Sequence, residues 1–308
     1  MKSPSIPIPI RILTHNIRYA TTSPFPGEEP WPTRKPRLVS ELRFHTRRSP
    51  EAFICLQEVL HGQLIDILDG LNSDGDDEWT YFGVGRDDGH QAGEYNPVLY
   101  HQRTWTLRSS QTSWLSPTPH VPSKGWDAAC FRIVSACVFR HQECGVEIAV
   151  MNTHLDDQGS SSRVHGVEIL GGLVRDFAAR GKGVLVAGDF NSEREGAAYR
   201  RWISMKTPGG KPLVRDLRDM VRGGERYGEA NTFTGFGHGG GPKARIDFIF
   251  LSGFSGATGH REDVKEEEEE GGATVGKATG YAVLTNRFVD DGVYVSDHRA
   301  VVGDLVLS

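Results

Sequence analysis

Short apolar runs bounded by turn-forming residues recur along the chain and alternate with segments of helical periodicity. Runs of about four to eight apolar or β-branched residues are typical of strands, and apolar positions three or four apart are typical of helices. The pattern predicts strands at 10–17, 52–57, 96–100, 131–139, 146–153, 183–187, 245–251 and 300–307. It predicts helices at 33–47, with Thr33 as the N-cap, at 62–71 and at 163–179. Because helices and strands alternate in both halves, we predict an α/β fold.

An acidic stretch at about 262–272 interrupts this pattern and contains the five consecutive glutamates Glu266 to Glu270. Like charges repel one another, so the stretch is expected to be a solvated loop between two late strands. No segment rich in Pro, Ser or Gly divides the 308 residues into two parts. The chain, 1–308, is therefore predicted to form a single domain.

Composition and charge narrow the class of protein. No apolar run approaches the roughly 20 residues that span a bilayer. The N-terminus is interrupted by Pro4, Pro7 and Pro9 and lacks the apolar core of a secretory signal, so an intracellular, cytoplasmic protein is expected. Four cysteines in a chain of this length do not suit a disulfide scaffold. The net charge of −5 provides no overall positive field to attract nucleic acid, although a local basic groove is compatible with it.

Polar residues repeatedly follow the predicted strands, where a sheet delivers side chains to a common edge. Carboxylate and amide oxygens are the ligands that Mg²⁺ or Mn²⁺ prefers, and histidines add proton transfer and charge stabilisation. One such residue is typically a cap or a turn, but six groups together indicate a site. These groups are THN at 14–16, QE at 57–58, HLDD at 154–157, GDFN at 188–191, Asp247, and SDH at 296–298.

The same blocks carry a family resemblance. Asn16, QE at 57–58, NTHL at 152–155, GDFNS at 188–192, IDFI at 246–249 and SDH at 296–298 resemble the endonuclease/exonuclease/phosphatase (DNase I-like) superfamily. The chain is most similar to the deadenylase and nocturnin-like branch, in which Trp-x-x-Arg opens the first helix, as Trp31 and Arg34 do here. In that branch a tyrosine-bearing helix follows GDFNS, as at Tyr199. The resemblance implies a four-layer α/β-sandwich of two packed mixed sheets flanked by helices, with a site at one edge.

The resemblance also implies roles for individual residues. Glu58 would be the principal ligand of a Mg²⁺ or Mn²⁺ ion, with Asn16 and Asp297 close to the same ion. Asp189 and Asn191 would orient the attacking water and the scissile phosphate.

Two histidines complete the implied site. Asp247 would hold His298, which acts as a base or as a phosphate-polarising cation. His154 would contact the phosphate or protonate the leaving oxygen, held by a glutamate for which Glu94 is the candidate. Arg132 matches an arginine that meets phosphate.

Two of the candidates have an equally strong structural interpretation. Glu94 is either the partner of His154 or an ion-pairing residue of its turn. Trp126 lies in a loop that lines the substrate site, where an exposed indole stacks on a base, or it anchors its own loop. His15 lies next to Asn16 but has no family role, and it is expected at the surface.

We therefore predict a Mg²⁺-dependent hydrolase that cleaves a phosphoester by in-line attack of water. The first hypothesis for the substrate is RNA ends or single strands, which makes the protein a nuclease acting as a monomer. The alternative is a small-molecule phosphatase or phosphodiesterase acting on a nucleotide, inositol phosphate or phospholipid head group. A catalytically dead binding module is a third hypothesis, disfavoured because clustered carboxylates do not stabilise a scaffold.

Overall fold

The computed structural model describes residues 7–73, 75, 78–240, 243–255 and 276–307. The acidic stretch predicted as a loop at 262–272 lies outside these residues.

Within the described ranges the helices are α1 (Trp31–Thr46), α2 (His61–Leu71), α3 (Ser160–Ala179), α4 (Ala197–Ser204) and α5 (Leu217–Met220). The strands are β1 (Ile8–Asn16), β2 (Phe53–Gln57), β3 (Trp79–Phe82), β4 (Val98–His101), β5 (Trp105–Trp114), β6 (Ile133–His141), β7 (Glu147–His154), β8 (Gly183–Asp189), β9 (Arg215–Asp216), β10 (Arg226–Gly228), β11 (Asp247–Ser252), β12 (Phe254–Ser255), β13 (Gly276–Val283) and β14 (Val301–Leu307).

The strands form two mixed sheets. The first has the order β10-β13-β14-β1-β2-β4-β3, with β12 beside β13, and the second has the order β5-β6-β7-β8-β11-β9. In the first sheet β1 is parallel to β2 and antiparallel to β14. In the second sheet β8 is parallel to β7 and antiparallel to β11. Consequently the ends of β1 and β2 lie at the edge where β14 begins, and the ends of β7 and β8 lie where β11 begins.

Alternation along the central strands explains the layers, because successive side chains of a strand point to opposite faces. In β8, Leu185 and Ala187 belong to the core between the sheets, whereas Val184 and Val186 pack with α3 and α4. Alternate residues of β2 in the same way face α1 and α2. The order of layers is helices, sheet, sheet, helices, which confirms the predicted four-layer α/β-sandwich.

Each predicted helix and strand has an observed counterpart, but several bounds and elements differ. The N-cap prediction for Thr33 is wrong: α1 begins at Trp31, with Pro30 at the N-cap position and a proline in the first turn, which is pre-organised for a helix. Strands β3, β5, β9, β10, β12 and β13 were not predicted. β5 is the outer strand of the second sheet and exposes most of its polar central residues, so its sequence lacks an apolar run.

A buried ion pair joins the sheets near the start of β11. Arg245 Nη1 and Nη2 donate to the two carboxylate oxygens of Asp216 at 2.8 and 2.7 Å, and Tyr199 Oη donates to the same carboxylate at 2.9 Å. Arg245 Nε donates to Tyr281 Oη on β13, in the other sheet, at 3.3 Å. This network fixes the chain two residues before Asp247.

Candidate active site

Strand ends from both sheets bring the predicted polar residues together. His154 at the end of β7 pairs in register with Asp189 at the end of β8, and Asp189 pairs in register with Asp247 at the start of β11. From the first sheet come the residues at the ends of β1 and β2 and just before β14, which are Asn16, Glu58, Asp297 and His298. Both sheets therefore contribute to one site, as the strand-end pattern predicts.

The amide of Asn16 links the two halves of the site. Its Nδ2 donates to Glu58 Oε1 at 2.9 Å and to Asp189 Oδ2 at 3.0 Å, and its Oδ1 accepts from the backbone N–H of Arg18 at 3.0 Å. The nitrogen of the amide, and not its oxygen, thus faces the carboxylates. Asn16 spaces two carboxylates from different sheets in this arrangement.

Glu58 and Asp297 form the carboxylate half of the site. Glu58 has a left-handed backbone, φ 58°, and its Oε2 accepts from the backbone N–H of Tyr19 at 3.3 Å. Burial raises the pKa of Asp297; the nearby cation of His298 opposes this shift, and the negative charge of Glu58 adds to it. Two neighbouring carboxylates, which both offer oxygen donors, fit a hard divalent cation such as Mg²⁺ or Mn²⁺.

Asp247 and His298 form a buried pair, as the resemblance implies. His298 Nδ1 lies 2.8 Å from Asp247 Oδ2, and its Nε2 lies 3.7 Å from Asp189 Oδ2. Burial lowers the pKa of His298, but the negative charges of Asp247 and then Asp189 together raise it by more. The pKa of His298 therefore lies well above its ordinary value. Potential ligand atoms of these three residues lie within 4.8 Å of one another. A protonated imidazole has no lone pair for a metal, so His298 in that state is not a metal ligand.

Asp189 lies at the centre of the polar contacts. Its Oδ1 accepts the backbone N–H of Asn191 at 2.8 Å, and its Oδ2 lies 3.4 Å from His154 Nε2. Burial and the charge of Asp247 raise the pKa of Asp189 to about 7, against the opposing effects of His298 and the hydrogen bonds. A carboxylate with such a pKa is suited to accept a proton from water near neutral pH.

His154 differs from the expectation. Asn191 Nδ2 lies 3.0 Å from both His154 Nε2 and the carbonyl oxygen of Leu155, so Nδ2 is the donor and Nε2 the acceptor. Burial, followed by the positive charges of Arg132 and Arg86, lowers the pKa of His154 well below its ordinary value. The hydrogen then resides on Nδ1, which is buried without a hydrogen-bond partner among the described residues. The predicted pairing of Glu94 with His154 is absent among the described residues, because Nδ1 has no hydrogen-bond partner there and Nε2 faces Asn191.

Glu94 forms an ion pair with an arginine, which is the second of the two interpretations given for it above. Its Oε2 accepts from Arg86 Nη1 at 2.6 Å, and no described partner occupies the free nitrogen of His154. Burial and the charge of Glu58 raise the pKa of Glu94 to about 7, although Arg86 and Arg132 oppose this shift. Glu94 therefore lies near the carboxylate half of the site but is held by Arg86.

Arg132 is buried and partly unsatisfied. Its Nε lies 3.5 Å from Asp156 Oδ2, and its Nη2 donates to Asp157 Oδ1 at 2.8 Å. Its Nη1 is buried without a hydrogen-bond partner among the described residues. Leaving such a donor unpaired is costly, so an anion is a fitting partner for it.

Trp126 anchors its loop. The indole stacks on the imidazole of His165 with ring centroids 4.3 Å apart and planes 10° apart. The next residue, Asp127, accepts the backbone N–H groups of Ser161 and Ser162 at 3.1 and 2.7 Å, which fastens the loop to the first turn of α3. The indole is 43% exposed, so it retains accessible surface.

Three residues near the site were not predicted to belong to it. Arg18 and Arg86 lie near Glu58 and Glu94 but outside the strand-end motifs. His15 is fully buried, which makes its predicted surface position wrong: its Nε2 lies 3.2 Å from the carbonyl oxygen of His298 and its Nδ1 lies 3.2 Å from Glu41. The available signal was the position of His15 in a strand next to Asn16.

Arg34, at the end of the Trp-x-x-Arg motif, supports the site from below. Its Nη1 donates to the carbonyl oxygens of Ile17 and Val295 at 2.8 and 2.9 Å, and its Nη2 donates to that of Arg18 at 3.1 Å. These bonds tie the segment after β1 to the segment that carries Asp297.

A cavity of about 400 Å³ opens beside Asn191. Its polar lining mixes charges, because it includes Arg163 from α3 together with Glu193 and Glu195 from the segment before α4.

None of the helices in the described ranges has the length and apolar character needed to cross a bilayer.

Solved structures resemble this chain over nearly its full length. An endonuclease/exonuclease/phosphatase family protein from Bacteroides thetaiotaomicron is 26% identical with a TM-score of 0.79. The match covers 99% of this chain and 100% of that one. A mannosyl-6-phosphatase from the same organism is 27% identical with a TM-score of 0.78, covering 97% and 100%. TDP2 of D. rerio, solved with a single-strand DNA product, is 17% identical with a TM-score of 0.64, covering 96% and 98%, and thus shares the fold.

Sequence comparison gives the family. An uncharacterised protein of Acanthamoeba polyphaga mimivirus is 28% identical over 99 residues, a match that spans 31% of this chain and 37% of that relative. A sequence model of the Endonuclease/Exonuclease/phosphatase family matches residues 13–298, a range that contains every strand-end motif described above. The chain belongs to the endonuclease/exonuclease/phosphatase family.

Proposed function

We propose that this protein is a divalent-metal-dependent hydrolase that adds water to the phosphorus of a phosphoester. The observation that carries the proposal is the position of Asp189. Its carboxylate lies 3.4 Å from His154 and 3.7 Å from His298 and is bridged to Glu58 through Asn16 at 3.0 Å. A proton acceptor, two imidazoles and a hard-cation site therefore meet at one point, which suits phosphoryl transfer to water.

Glu58 and Asp297, with Asn16 beside them, would hold the Mg²⁺ or Mn²⁺ ion. The chemistry supplied by a bound divalent cation is neutralisation of the negative charge on the phosphoryl oxygens. As the water oxygen bonds to phosphorus the ester P–O bond breaks, and the departing alkoxide takes a proton from bulk water. Asp189 accepts the proton of the attacking water, while the backbone N–H of Asn191 keeps its carboxylate in place.

The two histidines stabilise the phosphoryl oxygens in different ways. His298, protonated and held by Asp247, offers a positive charge. His154 is neutral, and its Nδ1–H is an uncharged donor. Arg132 Nη1 is a third donor for the phosphate.

For the substrate, we propose a compact phosphate ester such as a sugar phosphate in preference to a nucleic acid. Arginines at the site are paired with carboxylates of the protein: Arg18 with Glu28, Arg86 with Glu94, and Arg132 with Asp156 and Asp157. Apart from buried nitrogens such as Arg132 Nη1, which can serve one phosphate, these pairs leave little positive charge for a polyanion. The mixed lining of the cavity beside Asn191 suits hydroxyl groups, and the likeness to a mannosyl-6-phosphatase supports the same class.

A nuclease acting on RNA ends or single strands is the second candidate, supported by the shared fold of TDP2 and by the half-exposed indole of Trp126. A substrate panel separates the two. It contains hexose 6-phosphates, inositol phosphates, nitrophenyl phosphate mono- and diesters, polyadenylate, and single- and double-stranded DNA, each with Mg²⁺, Mn²⁺ or EDTA.

We expect metal-dependent release of phosphate from a compact ester and at most slow cleavage of the polymers. Glu58→Gln serves as the inactive control for contaminating enzymes. Preferential cleavage of a polymer would refute the substrate assignment. Equal rates with EDTA and Mg²⁺ would refute the metal dependence.

A further inference from the structure

The chain has a β-bulge at Glu58. Regular pairing of β2 with β4 ends at Cys55 and Val98, and an isolated bridge follows between Val59 and Tyr95. Between these two pairs one side has three residues and the other has two, which is the definition of a bulge. A bulge re-aims a side chain, and Glu58, the last residue of this one, has the left-handed φ of 58°.

Pro97 leaves one carbonyl group of the bulge without its partner in the sheet. The backbone N–H of Leu56 donates to the carbonyl oxygen of Pro97 at 3.3 Å. In such an antiparallel pair the opposite residue returns a second hydrogen bond, but a proline has no N–H to donate. The carbonyl oxygen of Leu56, two residues before Glu58, therefore needs a donor from elsewhere.

The side chain of Asn152 supplies that donor from the other sheet. Its Nδ2 donates to the carbonyl oxygens of Leu56 and Pro97 at 2.8 and 2.7 Å. Its Oδ1 accepts from Gln57 Nε2 at 2.7 Å, and the same nitrogen donates to Thr14 Oγ1 at 3.0 Å. Asn152, Gln57 and Thr14 are fully buried, so water does not compete for these hydrogen bonds. One amide thus bonds to both sides of the bulge.

Asn152 also belongs to the strand that ends in His154. Side chains two positions apart in a strand point to the same face, so Asn152 and His154 lie on one side of β7. His154 Nε2 in turn lies 3.0 Å from Asn191 Nδ2. The amide of Asn152 therefore joins the carboxylate half of the site, on the first sheet, to the histidine half, on the second.

We propose that Asn152 is a positioning residue that replaces the donor missing from Pro97, holds the bulge in shape and so presents Glu58 to the divalent cation. This inference rests on the proposed function, because it assumes that Glu58 binds a metal ion. A non-glycine residue keeps a left-handed backbone only when its surroundings enforce it. Without the amide, the carbonyl oxygen of Leu56 loses its donor, and the left-handed conformation of Glu58 loses its support.

Titration of the metal-free full-length protein with Mn²⁺, followed by calorimetry, tests the proposal. We expect Asn152→Ala to raise the Kd for Mn²⁺ about 10–100-fold, as for other residues that orient a metal ligand. Pro97→Ala restores a backbone N–H opposite Leu56. The double variant Asn152→Ala/Pro97→Ala is therefore expected to recover about 2–10-fold of that loss, the effect of one hydrogen bond.

Asn72→Ala is the matched control. Asn72 also uses both atoms of its amide, since its Nδ2 donates to the carbonyl oxygen of Trp79 at 3.0 Å and its Oδ1 accepts from the N–H of Trp79 at 2.9 Å. Trp79 begins β3, the outer strand of the first sheet. Asn72→Ala is expected to lose stability and to keep the wild-type Kd for Mn²⁺.

Amide hydrogen exchange, followed by NMR, provides a second readout that needs no metal. The N–H of Val59 donates to the carbonyl oxygen of Tyr95 at 3.4 Å directly after the bulge. Exchange of this N–H should be about tenfold faster in Asn152→Ala than in the wild type, because the bulge opens more often. In Asn72→Ala its rate should match the wild type.

A folded Asn152→Ala with the wild-type Kd and exchange rate would overturn the proposal, and so would a double variant that recovers nothing. Should Asn152→Ala fail to fold by circular dichroism, Gln57→Leu replaces it, since it removes the donor that orients the amide of Asn152. An unaltered Kd in Gln57→Leu is then the refuting result. A wild-type chain that binds no Mn²⁺ and hydrolyses nothing on the substrate panel refutes the proposed function, and exchange at Val59 then decides the role of Asn152 by itself.

Discussion

Replacing Asp247 by asparagine removes the charge that keeps His298 protonated while leaving an oxygen that still accepts its hydrogen bond. The two side chains are buried, with His298 Nδ1 2.8 Å from Asp247 Oδ2. Asp189 stays beside the imidazole at 3.7 Å. The substitution therefore lowers the pKa of His298, while Asp189 remains as a partner for the protonated imidazole.

The magnitude follows from Coulomb's law. For charge centres about 4 Å apart and an effective dielectric constant of about 20, the attraction is about 4 kcal/mol, equivalent to about three pK units. The active form of His298 is the protonated one, so its contribution is lost as pH rises through its pKa. Asp247→Asn should thus move the alkaline limb of kcat to lower pH by up to about three units. Above the lowered pKa, the loss of this charge should reduce kcat about 10²–10³-fold, as for other removed oxyanion donors.

Stability should fall by less than this attraction, because two buried carboxylates repel and the substitution removes one of them. Asp247 raises the pKa of Asp189, which is the signature of that repulsion. Asp216→Asn is the matched control: Asp216 is equally buried and paired, but its partner Arg245 would lose its carboxylate. Breaking a buried ion pair on one side typically costs about 3–5 kcal/mol.

The assay measures kcat against pH and the free energy of unfolding in urea for both variants. Asp247→Asn should lose activity together with less than about 4 kcal/mol of unfolding free energy. Asp216→Asn should lose stability with a kcat much closer to wild type. If Asp247→Asn keeps kcat within about threefold of wild type across the pH range, the charge of His298 does not act in the reaction.

Three further predictions concern the metal, the second histidine and the substrate. Glu58→Gln should weaken Mn²⁺ binding by at least about tenfold and abolish turnover while circular dichroism stays unchanged, since one charged ligand is lost; unaltered affinity would contradict the metal assignment. His154→Ala should slow nitrophenyl and alkyl phosphate esters by a similar factor of about 10², because a neutral imidazole stabilises oxygen rather than protonating the leaving group; a much larger loss for the alkyl ester would restore it as an acid. The logarithm of KM should rise with the logarithm of salt concentration with a slope of about one to two for a compact substrate, and a slope corresponding to about six phosphates would indicate a polymer.

Buried central strands were the most predictable part of the fold. β8 reads as a run of apolar residues because both of its faces are covered, and its end at Asp189 marks the sheet edge. β5 could not be predicted in this way, since an outer strand with exposed polar residues leaves no apolar signature. The start of α3 depends on Asp127, which binds Ser162 from 35 positions away, and local periodicity carries no trace of that contact.

The residues of the site also differ in how far the sequence predicts their positions. Asp189 ends β8 and Asp297 lies just before β14, so their convergence follows from sheet geometry. The pairing of Arg86 with Glu94 and of His15 with Glu41 does not follow from sheet geometry, because tertiary packing places these side chains. The pKa of His154 could not be predicted from the sequence, since it depends on burial and on arginines that approach from other segments.

Because β1 pairs with β14, the site can form only after the last strand of the chain has been synthesised. Ser296 Oγ donates to the carbonyl oxygen of Asn16 at 2.6 Å across 280 positions of sequence. At about 5–20 residues per second, roughly 15–55 s separate the appearance of these two segments during translation. Until β14 emerges from the ribosome, β1 lacks its antiparallel neighbour, and Asn16 and Glu58 lack Asp297 and His298. A nascent chain is therefore expected to be hydrolytically silent, and activity should arise late and all at once.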